Sequence, residues 1–197
     1  MRYSDGAINH TESDLHSNGF GTAWGHTRSY SNQLNTNTGG RQGNSWLVPD
    51  WQYLVFLTED GNDKISVVRG SNNSLWFTET GGAWVGEFEI QATLTEDAGS
   101  NSLILYTPDG YTYHYNNNDP IHGNLRGRLT KVISPGGDIA NLNYDEPKGC
   151  ITQYEQSSSG KTVTYNYEYL VGINGNMLGS VTLQVDGTNV RKATYSY

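Results

Sequence analysis

One cysteine in 197 residues, Cys150, leaves no internal disulfide open to this chain, so its fold rests on packing alone. Beside Ile151 at the start of an apolar stretch, Cys150 reads as a small core residue and not as a reactive thiol. Charge is sparse at 16% of residues, and cations are the scarcer sign. Twelve Lys and Arg against 20 Asp and Glu give a net charge of −8 and a pI near 4.9. That balance lacks the basic footprint needed to neutralise phosphates, and no nucleic-acid partner is expected. No apolar run approaches the roughly 20 residues of a membrane-crossing helix, so no membrane span is expected. The opening Met1-Arg2-Tyr3-Ser4-Asp5-Gly6 has neither a basic n-region nor an apolar h-region, so this chain shows no signal peptide. Helical periodicity is missing too: Gly, Asn and Thr interrupt every stretch that spaces apolar residues at 3, 4 and 7. The five histidines, His10, His16, His26, His114 and His122, form no close pair and no HExxH. Neither a metal nor any other cofactor is predicted.

What is plentiful is glycine (24), tyrosine (14) and tryptophan (five). Alternation places Tyr111, Tyr113 and Tyr115 on one face of a strand, and Val163, Tyr165, Tyr167 and Tyr169 on one face of another. Ala140, Leu142 and Tyr144, and likewise Val181, Leu183 and Val185, have the same spacing. Between such runs fall Asp60-Gly61, Gly81-Gly82, Pro108-Asp109-Gly110, Pro135-Gly136-Gly137, Ser159-Gly160, Asn174-Gly175 and Asp186-Gly187. Short turns of this kind join antiparallel neighbours. The expected fold is an all-β antiparallel meander, with Ser31 to Asn44 as a long loop. A soft boundary near Asn116 to Gly123 divides a leading region, 1–118, from a repeat region, 119–197.

Three stretches share one layout of apolar strand, glycine turn and tyrosine-rich return. The first runs from Gly127-Arg128-Leu129-Thr130-Lys131-Val132 through Gly137 to Tyr144-Asp145. The second runs from Gly149-Cys150-Ile151 past Ser159-Gly160 to Tyr167-Glu168. The third goes from Leu178 and Val181 past Asp186-Gly187 to Tyr197. A hairpin cannot bury its apolar face alone, so the three must associate. These residues resemble the Rhs/YD-repeat family, whose units read Gly-x-Leu-x-x-Val, a glycine turn, then Tyr-Asp. Gly25-His26-Thr27-Arg28-Ser29-Tyr30 with Gly43-Asn44-Ser45-Trp46 is similar to the segment leading into such a shell. Leu103 to Tyr115 is similar to the hairpin before its first repeat. The resemblance implies stacked hairpins of a secreted or cell-surface shell that encloses a C-terminal polypeptide, often a toxin. It also implies that this chain is a fragment lacking the later self-cleavage motif, so no catalytic residue carries over and no enzyme is expected.

Two further readings compete with that one. Exposed aromatics stack on sugars, which makes Trp24, Trp51 and Trp84 candidates for carbohydrate binding. Glu87 and Glu89 in Gly86-Glu87-Phe88-Glu89-Ile90 have strand spacing, about 7 Å apart on one face, the separation used by paired glycosidase carboxylates. The partners expected are the adjacent repeats of the parent chain, carbohydrate in the second reading, and further copies of the chain through exposed strand edges.

Overall fold

The computed structural model describes residues 8–16, 24–32, 45–70, 73–172 and 175–196. Most of the expected 31–44 loop, the first six residues, Asn174 of one turn and Tyr197 of the third repeat lie outside them. Three strands, β1 (Asn9–His16), β2 (Gly25–Ser31) and β3 (Trp46–Leu47), form a small antiparallel sheet. A second sheet takes thirteen strands in unbroken sequence order. They are β4 (Tyr53–Glu59), β5 (Asn62–Val68), β6 (Ser74–Thr80), β7 (Ala83–Gly86), β8 (Thr93–Asp97), β9 (Ser102–Tyr106), β10 (Thr112–Asn116), β11 (Leu129–Ile133), β12 (Ile139–Asp145), β13 (Cys150–Ser158), β14 (Lys161–Gly172), β15 (Gly175–Val185) and β16 (Thr188–Thr194). The all-β antiparallel meander read from the sequence is the fold.

Turn chemistry sets this order. Asp60-Gly61, Gly81-Gly82, Ser159-Gly160 and Asp186-Gly187 each hold two successive positive φ angles. That is the two-residue hairpin turn whose twist matches its flanking strands. The one helical element among the described residues is a 3-10 turn, Pro120–Leu125, where Asp119 accepts a hydrogen bond from the Ile121 N–H. It occupies the place expected for a linker. On either side of it β10 and β11 pair directly, so the sheet continues through 118/119.

Alternation sets the faces. Strand register lines up Trp84, Leu94, Leu105, Tyr113, Val132, Ala140, Gln156, Val163 and Val185 from β7 to β15. This row belongs to one continuous inner face, and its neighbours Leu103, Tyr115, Leu129, Tyr154 and Tyr165 are fully or almost fully buried. The outer face is polar. Across β12 to β16 it carries a ladder of carboxamides in which Asn143 donates to Gln153, Gln153 to Asn166, Asn166 to Gln184 and Gln184 to Asn189, at 2.8–3.0 Å.

The sheet does not stay open. The Leu54 N–H donates to the Gly127 carbonyl at 2.8 Å, and Tyr53 bridges to Arg128, so β4 is tied to the entry of β11. The first eight strands thereby curl onto themselves around Leu54, Ile65, Val67, Phe77, Leu105 and Tyr115. Beyond the curl, the inner face of β13 to β16 is covered by the small sheet. The repeat hairpins associate edge to edge through backbone hydrogen bonds, and their apolar faces are covered by these two devices.

The repeats themselves are hairpins β11–β12, β13–β14 and β15–β16. Gly127 and Gly149 open the first two in the left-handed region, with φ of 71° and 60°. Leu129, Val132, Ile151, Leu178 and Val181 are buried, and Tyr154 fills the valine place of the second unit. Gly137 makes the first unit's turn at φ 87°. Asp145 ends the unit by accepting Lys148 N–H on its side chain and Gly149 N–H on its carbonyl, which feeds the chain into the next glycine.

One assignment is corrected. Tyr144 follows a β-bulge, pairs with Ile151 of the next unit, and donates its hydroxyl to Leu129 O at 2.6 Å. In the second unit those same properties belong to Tyr169, which follows a bulge, pairs with Leu178 and donates to Ile151 O at 2.8 Å. Tyr167, two residues earlier, is not the repeat tyrosine. The bulge inserts a residue that a simple alignment does not see. Tyr144→Phe and Tyr169→Phe should each cost about 1–2 kcal/mol, read by urea denaturation, because a half-buried phenol no longer serves a carbonyl at the bulge. If both are neutral, the tyrosines act by ring packing alone.

Candidate functional site

The densest chemistry in the molecule lies where the small sheet meets the large one. Trp24, at the entry to β2, stacks on Tyr154 with ring centroids 4.1 Å apart and planes 10° from parallel. Its indole N–H donates to Tyr167 Oη at 3.1 Å, and its carbonyl accepts from Tyr165 Oη at 2.9 Å. Next along β2, His26 is fully buried among Trp51, Tyr167 and Tyr195, whose rings lie 5.7–5.8 Å from it. Neither imidazole nitrogen has a hydrogen-bond partner, and Asp14 Oδ2 lies 4.0 Å from Nε2. Burial pushes the imidazole down to about 4, so His26 is neutral near pH 7.

Asp14 itself is held by Arg28, which donates through Nε at 2.5 Å and through a terminal nitrogen at 3.0 Å. The guanidinium lies between the rings of Trp46 and Tyr195, 4.8 and 4.9 Å from their centroids. Tyr195 Oη donates to Asp14 at 2.9 Å and so joins the loop after β16 to β1. Asp50, just before Trp51, lies near enough to Tyr167 that its ionised form disfavours the phenolate, a smaller effect than the burial of that ring. Burial alone raises its carboxyl to about 7. Chemically this is a joint: rings supply the area, and polar atoms fix the register between the sheets.

The candidates read from sequence separate here. Trp24 and Trp51 belong to the joint, and Trp24, 7% exposed, has no face left for a sugar. Trp84 is half-buried and lines a cleft of about 290 Å³ at the open end of the curl. The paired carboxylates are corrected. β7 ends at Gly86, and Phe88 and Glu89 take φ of 57° and 58°, so Glu87 and Glu89 are not alternate residues of a strand. Glu87 accepts hydrogen bonds from the Thr78 hydroxyl and Lys64, which hold its carboxyl below the usual range. A carboxylate kept ionised in this way is unsuited to donate a proton as a general acid. Cys150 is buried, as expected, with its thiol 3.8 Å from the Lys148 carbonyl. Among the described residues no three His, Cys, Asp or Glu side chains converge as a metal site would require.

Sequence reasoning passed over His26, Asp14, Arg28 and Asp50 as a group. The first three lie on the β1–β2 hairpin and Asp50 follows β3, but their meeting with β14 and β16 is set by a contact 141 residues long in sequence. Comparison with family models and with curated proteins finds no match for this chain.

Proposed function

We propose that this chain is the starting portion of a β-repeat shell of the Rhs/YD kind. It is a non-catalytic wall, secreted or at the cell surface, in a larger protein that encloses or displays a C-terminal polypeptide. The observation that carries this reading is the asymmetry of the two sheet edges. β4 is turned in and bonded to Gly127 and Arg128. β16 pairs with β15 on one side, and among the described residues no strand pairs with its other side. Such a sheet can add strands along the whole of β16, whereas at β4 the closure blocks the Tyr53–Leu54 end, an asymmetry that suits the first part of a growing array. The motif of Gly127, Leu129, Val132, Tyr144 and Asp145 supports the same reading, since each residue has a repeat-forming role: close approach, core, bulge lock or turn.

An open edge offers unpaired N–H and C=O groups to any strand that meets it. The isolated chain should therefore self-associate with rising concentration. Tyr195 N–H points inward to Gly179 O, so that of Thr194 points outward, and Thr194→Pro should reduce association. Added salt should strengthen it by screening Arg191, which is exposed on β16. Sedimentation velocity reads all three. A monomer at high concentration, with β16 amides slow to exchange, would show a self-sufficient edge and remove the support for a shell segment.

A further inference from the structure

The curl is closed along only part of β4. Leu54 reaches Gly127, but beyond it, from Phe56 onward, no strand among the described residues bonds to the outer edge. There the cleft of about 290 Å³ opens between β4–β5 on one side and β7–β10 on the other. Its size is near the lower end for small-molecule sites, which suits a short ligand.

The lining has two characters. Trp84 stands at the end of the long inner row, where among the described residues no aromatic ring stacks on it, and with Phe56 and Leu103 it supplies the apolar lining. An indole that is neither closed in nor free offers a flat surface to the C–H face of a ring. Oxygen acceptors are set among these apolar residues: Glu96 pairs across the strands with Leu103, and Asp63 with Thr58, two residues from Phe56. Asn117 is 8% exposed and rigid: its amide donates to Glu96 at 3.0 Å and its Oδ1 accepts from the Asp119 N–H at 3.0 Å. Asp63 accepts from Thr58 Oγ1 at 2.9 Å. Each carboxylate retains lone pairs beyond those used.

Charge narrows the ligand. Lys64, the one cation among the described residues lining the cleft, is held by Glu59 at 2.7 Å and by Glu87 at 3.4 Å. Asp63 and Glu96 are thus left to set the sign of the cleft, which repels phosphates and uronates and accepts hydroxyl donors. A hydroxyl-rich ring with an apolar face and no negative charge suits both kinds of lining.

We propose that this cleft binds a short neutral saccharide, with one ring stacked on Trp84 and its hydroxyls donating to Glu96. The inference is independent of the shell reading, because it rests on the curl and not on the β16 edge. The test is isothermal titration of the whole chain with neutral trisaccharides of glucose, xylose and N-acetylglucosamine, beside a trigalacturonate and a triglucosamine. At least one neutral trisaccharide should bind with a dissociation constant of millimolar or tighter. Trp84→Ala should weaken it at least tenfold, and Glu96→Gln, which keeps shape and the Asn117 contact, should weaken it severalfold. Trp24→Phe, in the joint, should leave it unchanged. Should Trp84→Ala fail to fold, Glu96→Gln and ligand-induced shifts of the Asn117 side-chain amide in NMR decide the matter. The proposal is overturned if no neutral trisaccharide binds, if neither cleft variant weakens binding, or if the trigalacturonate or triglucosamine binds more tightly than every neutral one.

Discussion

Gly127→Ala is expected to destabilise the protein by about 3 kcal/mol or more, whereas Gly137→Ala, at another positive-φ glycine of the same repeat, should cost only about 1 kcal/mol. Both residues have φ in the left-handed region, 71° and 87°, so both variants bear the backbone strain. They differ in what surrounds the added methyl. At Gly137 nothing lies within 4 Å. At Gly127 a Cβ would sit 2.5 Å from the Leu54 carbonyl oxygen and 3.2 Å from its Cβ, so β4 must move. Moving β4 breaks the Leu54–Gly127 hydrogen bond and opens the curl over Tyr115 and Leu129. Chemical denaturation gives the two losses, and hydrogen exchange at the Leu54 amide separates them, rising sharply in Gly127→Ala only. Equal losses would mean that the closure adds nothing to stability.

Removing the Asp50 charge should produce the second large effect, and with it a pH dependence that the parent protein hides. His26 is lowered from 6.5 to about 4 in the fold. Its contribution is whole above pH 6.5 and is lost as pH falls toward 4, by up to about 3 kcal/mol. Asp50 is raised from 3.8 to about 7. Its contribution is whole below pH 3.8 and is lost as pH rises toward 7, by up to about 4 kcal/mol. Between pH 4 and 6.5 the unfolded chain holds this proton on His26, and the folded chain holds it on Asp50. The opposing slopes therefore nearly cancel. In Asp50→Asn one slope disappears: the variant should be more stable than the parent at pH 7 by about 2–4 kcal/mol. That advantage should shrink steadily as pH falls to 4. Urea midpoints for the two proteins across pH 4–7.5 give the difference directly, and other carboxylates cancel in it. A difference independent of pH would show that Asp50 is ionised in the fold.

Much of the sheet could be read from the sequence because its causes are local. Period-two runs such as Val163, Tyr165 and Tyr167 fix faces, and pairs such as Ser159-Gly160 fix where the chain reverses. The repeat tyrosine was misplaced in the second unit because a bulge beside Tyr169 shifts register without a mark in composition. Glu87 and Glu89 misled for a related reason: Glu-Phe-Glu-Ile alternates like a strand. The turn there is made by the Ile90 N–H bonding to Glu87 O and by the close approach of Ile90 to Gly86. The joint and the closure were not legible at all. His26 meets Tyr167 and Leu54 meets Gly127 across long stretches of chain, and nothing near either residue in sequence announces its partner.

The Trp24 anchor also puts a clock on biosynthesis. Each hairpin of the meander joins neighbours in sequence and can form as it emerges, since local contacts cost little loop entropy. Trp24 must wait for Tyr165, 141 residues later. At ordinary elongation rates of 5–20 residues per second that delay is roughly 7–28 s. Through that interval β1 and β2 have no sheet to lie on, while β4 to β13 assemble behind them. β1 and β2 thus leave the ribosome before the thirteen-stranded sheet yet dock after most of it, and their docking reports that the array has grown as far as β14.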